Sequence, residues 1–589
     1  MSFQATPLQI ADAIYFCTGY NDVIALDAET GREIWRRSLD VDLADVAGLT
    51  CRGVSYYRIP ETSGVCAERI ITATLDARLI ALDRRTGELC MGFGHHGAVS
   101  LLEGMGPVTK GYYYVTSPPA IVRGRIVLGG WVTDGQYWGE PSGVIRAFDA
   151  VNGRLAWAFD VGQPDQTGLP APGEHYTRAT PNSWAPMSAD EAMGMVYVPT
   201  GNATPDYFGG QRRPFDDAYS SSVVAIDVAT GRPRWTFQTT HHDLWDYDVA
   251  SQPTLVDLRV NGTVRRLLLQ PTKRGELFVL DRVTGQPAFP IVEYPVPAHG
   301  YAPGERLAAT QPFSPALPAF SGPELTEDSM WGLTPIDELW CRLRFREARY
   351  EGVFTPPGLT PYIQYPGYLG GFGWGSVSVD PARRIAVFNT SRMANHNQLL
   401  SRAEAESRGI RARRAGSTEF VGGAAAQEGT PFAADIRPFL SPLGVPCQAP
   451  PYSMLSAIDL SSGKLLWHQP LGTARDAGPW SLKLGLPLPM GSPSLGGATT
   501  TASGITFIAA TQDRYLRAFD SRTGKQLWRS RLPAGGHAVP MTYLTPQTRR
   551  QVVIIAAGGS SLLKSKAGNH LLAYALPMDD PRTPADRPH

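Results

Sequence analysis

Eight consecutive residues, His241-His242-Asp243-Leu244-Trp245-Asp246-Tyr247-Asp248, carry three carboxylates, two imidazoles and two aromatic rings. So many polar groups are costly to bring together unless they are paired or used. They suit a carboxylate base beside a cation, since an ionised Asp accepts a proton near neutral pH and a neighbouring positive charge keeps it ionised. A polar loop with turn-capping Asp residues is the plainer reading. A cation stands near in Gln270-Pro271-Thr272-Lys273-Arg274-Gly275, where Lys273 sits at the mouth of an apolar strand from Leu277 to Leu280. Thr200-Gly201-Asn202-Ala203-Thr204-Pro205-Asp206 ends another apolar strand, and Asn or Asp there either caps a turn or offers oxygen to a metal. Glu140, in Trp138-Gly139-Glu140-Pro141-Ser142-Gly143, and Trp184, in Thr180-Pro181-Asn182-Ser183-Trp184, each pass as structural when taken alone. No P-loop, strand-borne GxGxxG, HExxH or GxSxG occurs, which removes several common chemistries.

A repeat must position these groups. Leu26-Asp27-Ala28-Glu29-Thr30-Gly31-Arg32-Glu33-Ile34-Trp35 returns around Asp83, Asp149, Asp227, Asp281, Asp459 and Asp520, each followed four residues later by Gly. A weaker copy, Val379-Asp380-Pro381-Ala382-Arg383, makes eight marks. In each, an apolar strand runs into a turn that Asp caps and Gly permits, and most copies then carry a Trp suited to packing between neighbouring units. Strand–turn–strand units that cannot bury both faces alone pack on copies of themselves. Radial closure of four-stranded sheets predicts an all-β fold, an eight-bladed β-propeller with long inserted loops. An open solenoid is the alternative, but its repeats are shorter and more regular than marks spaced 54 (Asp227 to Asp281) to 99 residues (Asp281 to Asp380) apart. Residues 286–370, rich in Pro and aromatics, read as ordered loops covering one face, and residues 401–435 as a short charged helix followed by a mobile flap. Residues 1–589 read as one domain.

Composition agrees. Gly 61 and Pro 50 with only 18% charged residues favour many short strands and tight turns over disorder or coiled coil. Lys+Arg 54 balance Asp+Glu 54, leaving no basic face for nucleic acid. No apolar run approaches the roughly 18 residues of a membrane span, and MSFQATPLQI lacks signal-peptide character. The six cysteines (Cys17, Cys51, Cys66, Cys90, Cys341, Cys447) form no CxxC or CxxCH, and spacing leaves their pairing open.

Several long segments, in order, resemble the membrane-bound PQQ-dependent dehydrogenases of the glucose/quinate/shikimate family. They are TCRGVSYY (50–57), TSPP (116–119), EPSGVIRAFD (140–149), TPNSWAPMS (180–188), HHDLWDYD (241–248), QPTKRGELFVLDR (270–282), RYEGVFTPP (349–357), WGSVSVD (374–380) and LPAGG…PMTY (532–543). The resemblance implies an eight-bladed propeller and a set of roles. Asp246 would be the general base for the alcohol proton while hydride passes to the quinone. Lys273 would hydrogen-bond the quinone oxygens, Trp184 would stack on one cofactor face, and Arg52 would pair with a cofactor carboxylate. Thr116, Asn182 and Asn389 would also contact PQQ. A Ca²⁺ or Mg²⁺ ion would take oxygens from Glu140, Asn202 and Asp246, with Asp248 as an additional carboxylate.

The resemblance further implies ubiquinone as electron acceptor and a place at the periplasmic face of the bacterial inner membrane. Family members usually carry transmembrane helices and a leading, ring-closing segment before the stretch where this chain starts. Membrane attachment would then rest on an absent N-terminal region or a separate subunit. Glucose-type members also carry a His before TCRG that covers the second cofactor face, whereas here the stretch is Asp45-Val46-Ala47-Gly48-Leu49. Gly370-Gly371-Phe372-Gly373-Trp374 and Met393-Ala394-Asn395-His396-Asn397-Gln398 lean toward quinate or shikimate, with glucose as the alternative. A non-catalytic propeller scaffold is the contrasting class, but it has no use for Asp246, Lys273, Trp184 and Arg52 together.

Overall fold

The computed structural model describes residues 2–260, 262–413, 424–483 and 485–577. Eight antiparallel sheets succeed one another along the described residues, six of four strands and two of three, and we number them blades 1 to 8. Blade 1 comprises Leu8–Ile10, Ala13–Cys17, Val23–Asp27 and Glu33–Arg37. Blade 8 comprises Met541–Leu544, Gln551–Ala557 and His570–Ala575. Because neighbouring strands alternate in direction, two kinds of connection emerge at one end of the propeller. These join second to third strands, and each blade to the next. The remaining hairpins lie at the opposite end.

Those opposite-end hairpins are the repeat. Asp27 Oδ1 accepts hydrogen bonds from the Glu29 and Thr30 amides (3.1 and 2.7 Å), and Gly31 turns at φ +73°. The strand pairing slips by one residue at the same place in blades 1, 3, 4, 6 and 7. The Trp that follows docks on the next blade's turn. Trp35 Nε1 donates to Arg84 O (3.1 Å), Trp157 to Val228 O (2.7 Å), Trp235 to Arg282 O (3.2 Å) and Trp467 to Ser521 O (2.9 Å). Each ring lies so close to the receiving turn glycine that a Cβ there would stand 2.6–2.7 Å from it at Gly87, Gly231, Gly285 and Gly524. Glycine is therefore needed twice over, for its positive φ and for the close approach.

The mark at Asp380 has a different meaning from the one read in the sequence. It caps the hairpin between Ser378–Asp380 and Ile385–Ser391 in the same blade that holds Asp459, so blade 6 carries two marks. Blade 8 carries none. It closes the ring nonetheless: Tyr543 donates to Ala28 O (3.1 Å), the Gln547 amide donates to Glu29 (2.9 Å), and Ile555 and Val553 share a core cluster with Ile14, Phe16 and Ile24.

Residues 286–370 are ordered, as expected, and include a helix, Pro335–Glu347. Of the 401–435 stretch, Arg402–Ser407 is helical. Residues 414–423 lie outside the described residues. The remainder is not a flap, because Ala424–Ala425 and Phe432–Pro438 join Tyr362–Gln364 and Asn395–Ser401 in a further four-stranded sheet.

All six cysteines pair, as Cys17–Cys51, Cys66–Cys90 and Cys341–Cys447. The last ties the 335–347 helix across 106 residues of sequence. Closing so long a loop restricts the unfolded chain most, so replacing both Cys341 and Cys447 by Ala is expected to lower stability by about 2–4 kcal/mol, read as an earlier guanidinium unfolding midpoint.

Candidate functional site

The site loops all emerge at the end opposite the repeat turns. Arg52, Thr116, Asn182, Trp184, Asp246 and Asp248 lie on connections between blades, whereas Glu140, Asn202 and Lys273 lie between the second and third strands of blades 3, 4 and 5.

The 241–248 segment contains both a turn cap and a carboxylate beside a cation, at different residues. Asp243 is the turn cap: its carboxylate accepts from the Trp245 and Tyr247 amides (2.9 and 2.8 Å) and from Ser221 Oγ (2.6 Å). His242 is buried between Asp217 and Glu305 (2.8 and 3.1 Å), strapping neighbouring loops together. Asp246 is held in the left-handed region at φ +57° between two anchored aromatics. Trp245 Nε1 donates to Thr355 O (2.7 Å), Gln364 Nε2 donates to Trp245 O (2.7 Å), and the Tyr247 hydroxyl donates to Pro366 O (2.9 Å). The 286–370 insertion thus clamps the segment whose carboxylate faces the site.

Lys273 Nζ donates to Asp246 Oδ1 (2.7 Å), to Asp246 O (2.9 Å) and to Asp248 Oδ2 (3.1 Å). Asp248 Oδ2 also accepts from Trp184 Nε1 (3.0 Å), and its Oδ1 accepts from the Asn202 amide (2.5 Å). Arg52 lies over the Trp184 ring at 5.3 Å, and its guanidinium donates to Thr116 Oγ1. One chain of contacts therefore joins Asp246, Lys273, Asp248, Trp184, Arg52 and Thr116.

Electrostatics separate the two paired aspartates. Burial raises the Asp246 carboxyl well above the usual range; Lys273 opposes this, while Asp248 and Asp134 add to it. Asp248 feels burial too, but Lys273, the Asn202 amide and Trp184 together hold it below the usual range. The pair keeps Lys273 protonated against its own burial. Asp248 is thus the fixed counter-ion, and Asp246 the carboxylate readier to take a proton.

Three acids not singled out as one cluster in the sequence crowd the same place. Burial and mutual repulsion raise Asp134 to about 7 and lift Asp206 and Glu140 well above the carboxylate range. Glu140 is fully buried; its Oε1 accepts from the Gln136 and Tyr137 amides (2.6 and 3.1 Å) while Oε2 has no partner. Asp206 Oδ1 and Asn182 Oδ1 are buried and unpartnered as well. Buried oxygens of this kind are costly to leave unsatisfied and fit a hard divalent cation. Among the described residues no three His, Cys, Asp or Glu side chains are grouped to hold a metal by themselves, so amide or cofactor oxygens would complete the set.

Two residues expected to bind metal also make hydrogen bonds within the protein. The Asn202 carboxamide accepts from Ser220 Oγ (3.0 Å) and donates to Asp206 O and Asp243 O (3.2 and 3.1 Å), and Asp248 is satisfied as above. Asn182 Oδ1 and Asp206 Oδ1 are further open oxygens. Asn389 stands apart from the contact chain, its amide donating to Ser494 Oγ (3.0 Å). The buried guanidinium of Arg52 has no carboxylate partner among the described residues, its Nε is unsatisfied, and burial lowers it to about 10. That is an anion-binding position, and it fits a planar cofactor bearing carboxylates, such as PQQ.

Residues 1–553 match the model of the "PQQ: Glucose/ethanol/alcohol dehydrogenase, beta-propeller domain" family. The glycerol dehydrogenase large subunit of Gluconobacter oxydans (strain 621H) is 45% identical over 586 residues, covering 98% of this chain and 78% of that protein. The quinate/shikimate dehydrogenase (quinone) of Acinetobacter baylyi is 40% identical over 592 residues, 97% of this chain and 73% of the relative. The crystal structure of quinohemoprotein alcohol dehydrogenase from Comamonas testosteroni superposes with a TM-score of 0.64 at 21% identity, covering 97% of this chain and 74% of that one, and bears on the fold alone.

Proposed function

Because this chain belongs to the PQQ-dependent dehydrogenase β-propeller family, we propose that it oxidises a ring hydroxyl of a cyclic polyol or sugar, quinate or shikimate first, and passes the electrons to ubiquinone. The observation that carries the reading is the Asp246–Lys273–Asp248 triad beside Trp184 and an unpaired buried Arg52. Bound there, PQQ supplies a two-electron quinone acceptor and a divalent ion, Ca²⁺ or Mg²⁺, supplies Lewis acidity. The chain supplies the rest. Asp246 takes the substrate's hydroxyl proton, its basicity set by burial and by Lys273. Lys273 holds positive charge where negative charge develops. Arg52, with Thr116 behind it, receives a cofactor carboxylate. Glu140, Asn202 and Asp246 offer oxygens to the ion, with Asp248 as an additional carboxylate and the open oxygens of Asn182 and Asp206 beside them.

The substrate lean rests on the segments Gly370–Trp374 and Met393–Gln398, the second of which carries the buried Asn395 and Asn397. Asn397 donates to Gln364 (2.8 Å), which in turn holds Trp245 O next to Asp246. An acyclic polyol is the second reading, favoured by the 45% identity to a glycerol dehydrogenase large subunit. Among the described residues no helix is long and apolar enough to cross a membrane. Three disulfides support a periplasmic setting, since such bonds persist in oxidising compartments. At the inner-membrane face, attachment would come from a separate subunit or further N-terminal sequence.

Titrating the apo-protein with PQQ and Ca²⁺, then assaying dye-linked oxidation of quinate, shikimate, glycerol and glucose, tests the proposal. Stoichiometric binding with turnover of quinate or shikimate is expected. Turnover of glucose with neither quinate nor shikimate would overturn the substrate, and a folded protein that binds no PQQ would point to a scaffold.

A further inference from the structure

Arg52 touches a second indole. Its guanidinium carbon lies 5.4 Å from the ring centroid of Trp374, almost the same distance as from Trp184. Trp374 is buried at 6% exposure, yet among the described residues no aromatic ring stacks against it. Trp184, by contrast, is backed by Trp131, with ring centroids 5.1 Å apart. The two indoles come from connections far apart in sequence and meet over one cation.

The loop that carries Trp374 is fixed in place. Gly373 O accepts from Ser251 Oγ (2.8 Å), the Ser391 amide donates to Gly371 O (2.7 Å), and the Gly371 amide donates to Lys273 O. Gly375 lies flush against the backbone of the next blade, where a Cβ would stand 2.1 Å from the Gly496 carbonyl carbon. Nothing larger than glycine fits there, so the indole has one position. A flat, polarisable ring held without an aromatic partner, facing a cation shared with the cofactor floor, is placed to cover a planar ligand.

We propose that Trp374 is the second wall of the cofactor slot, opposite Trp184. Arg52 occupies the slot between the two indoles and moves onto a cofactor carboxylate when PQQ enters. The inference rests on the PQQ reading above and goes beyond it by assigning the covering residue.

The test is PQQ titration of apo-protein in Ca²⁺, followed by quenching of tryptophan fluorescence and by the absorption of bound PQQ, for wild type, W374A, W374F and W184A. Aromatic stacking on a planar ring is worth roughly 1–3 kcal/mol, so W374A should raise the Kd by about five- to 150-fold. W374F should stay within about threefold of wild type. The apo-protein melting temperature should change far less than the affinity, which separates a covering role from a packing one. If wild type binds PQQ and W374A binds equally well, this proposal falls while the functional reading stands. If wild type fails to bind, the functional reading falls first. Should W374A not fold, W374F is compared with W374Q, which fills space without a π-face; equal affinities would overturn the proposal.

Discussion

Asp246→Asn is expected to leave a folded protein that binds PQQ and Ca²⁺ while kcat falls by about 10³-fold, the range of a lost general base. The substitution keeps the shape and the oxygen that accepts from Lys273 Nζ (2.7 Å), and Asp248 remains as the lysine's counter-ion. What goes is the capacity to accept a proton. Stability should not suffer, because a neutral amide costs less to bury than the carboxylate it replaces. The backbone at φ +57° also tolerates Asn as readily as Asp. Saturating Ca²⁺ in the assay separates loss of the base from weakened metal binding, and PQQ absorption confirms loading. A variant keeping more than about a tenth of wild-type turnover would remove Asp246 from the role of base.

The propeller was legible because its signal is local. Each turn is specified by an Asp whose side chain caps amides two and three residues on, and by a Gly that must adopt positive φ under a neighbour's indole. The same local chemistry misled at Asp380, where a different hairpin of blade 6 uses an Asp cap at the same end of the propeller. The Arg383 amide donates to Asp380 Oδ1 there (3.0 Å), so the sequence pattern alone cannot tell the hairpins apart. Blade 8, without a mark, is held by contacts to blade 1 more than 500 residues away in the chain. Nothing within a window of a few residues encodes such a contact.

The site divides in the same way. The polar segments around Asp246 and Lys273 stood out from their residue types, whereas Trp184 passed as structural and Arg52 entered only through the family resemblance. Asp134 did not, because in Trp131-Val132-Thr133-Asp134 it is an ordinary polar residue after a strand. Its carboxyl becomes unusual only when the ring buries it beside Asp248, and burial together with that carboxylate raises it to about 7. Asn202 shows the converse. Its loop position left a turn cap and a metal ligand both open, and the resemblance implied the ligand; the fold also bonds its carboxamide to Ser220, Asp206 and Asp243 and its backbone amide to Asp248. A sequence reveals which side chains reach the site; hydrogen-bond competition inside it decides which oxygens stay open.

Lys273→Met should be the most damaging single change in the site, for two separable reasons. It removes the ammonium shared by Asp246 and Asp248, leaving two buried carboxylates repelling each other; losing one partner of a buried ion pair costs about 3–5 kcal/mol. It also removes the positive charge beside the reacting centre, a loss on the order of 10²–10³ in kcat. Arg is not a replacement. Lys273 Nζ donates from one point to three oxygens of Asp246 and Asp248, an arrangement that the fixed planar fork of a guanidinium does not reproduce. The double variant Lys273→Met with Asp246→Asn distinguishes the two effects. With one carboxylate neutralised, the repulsion that destabilises the single lysine variant is relieved, so the double variant should unfold at a higher denaturant midpoint than Lys273→Met alone while remaining inactive. If instead the losses in stability simply add, the triad is not electrostatically coupled, and Lys273 acts on Asp246 through shape rather than charge.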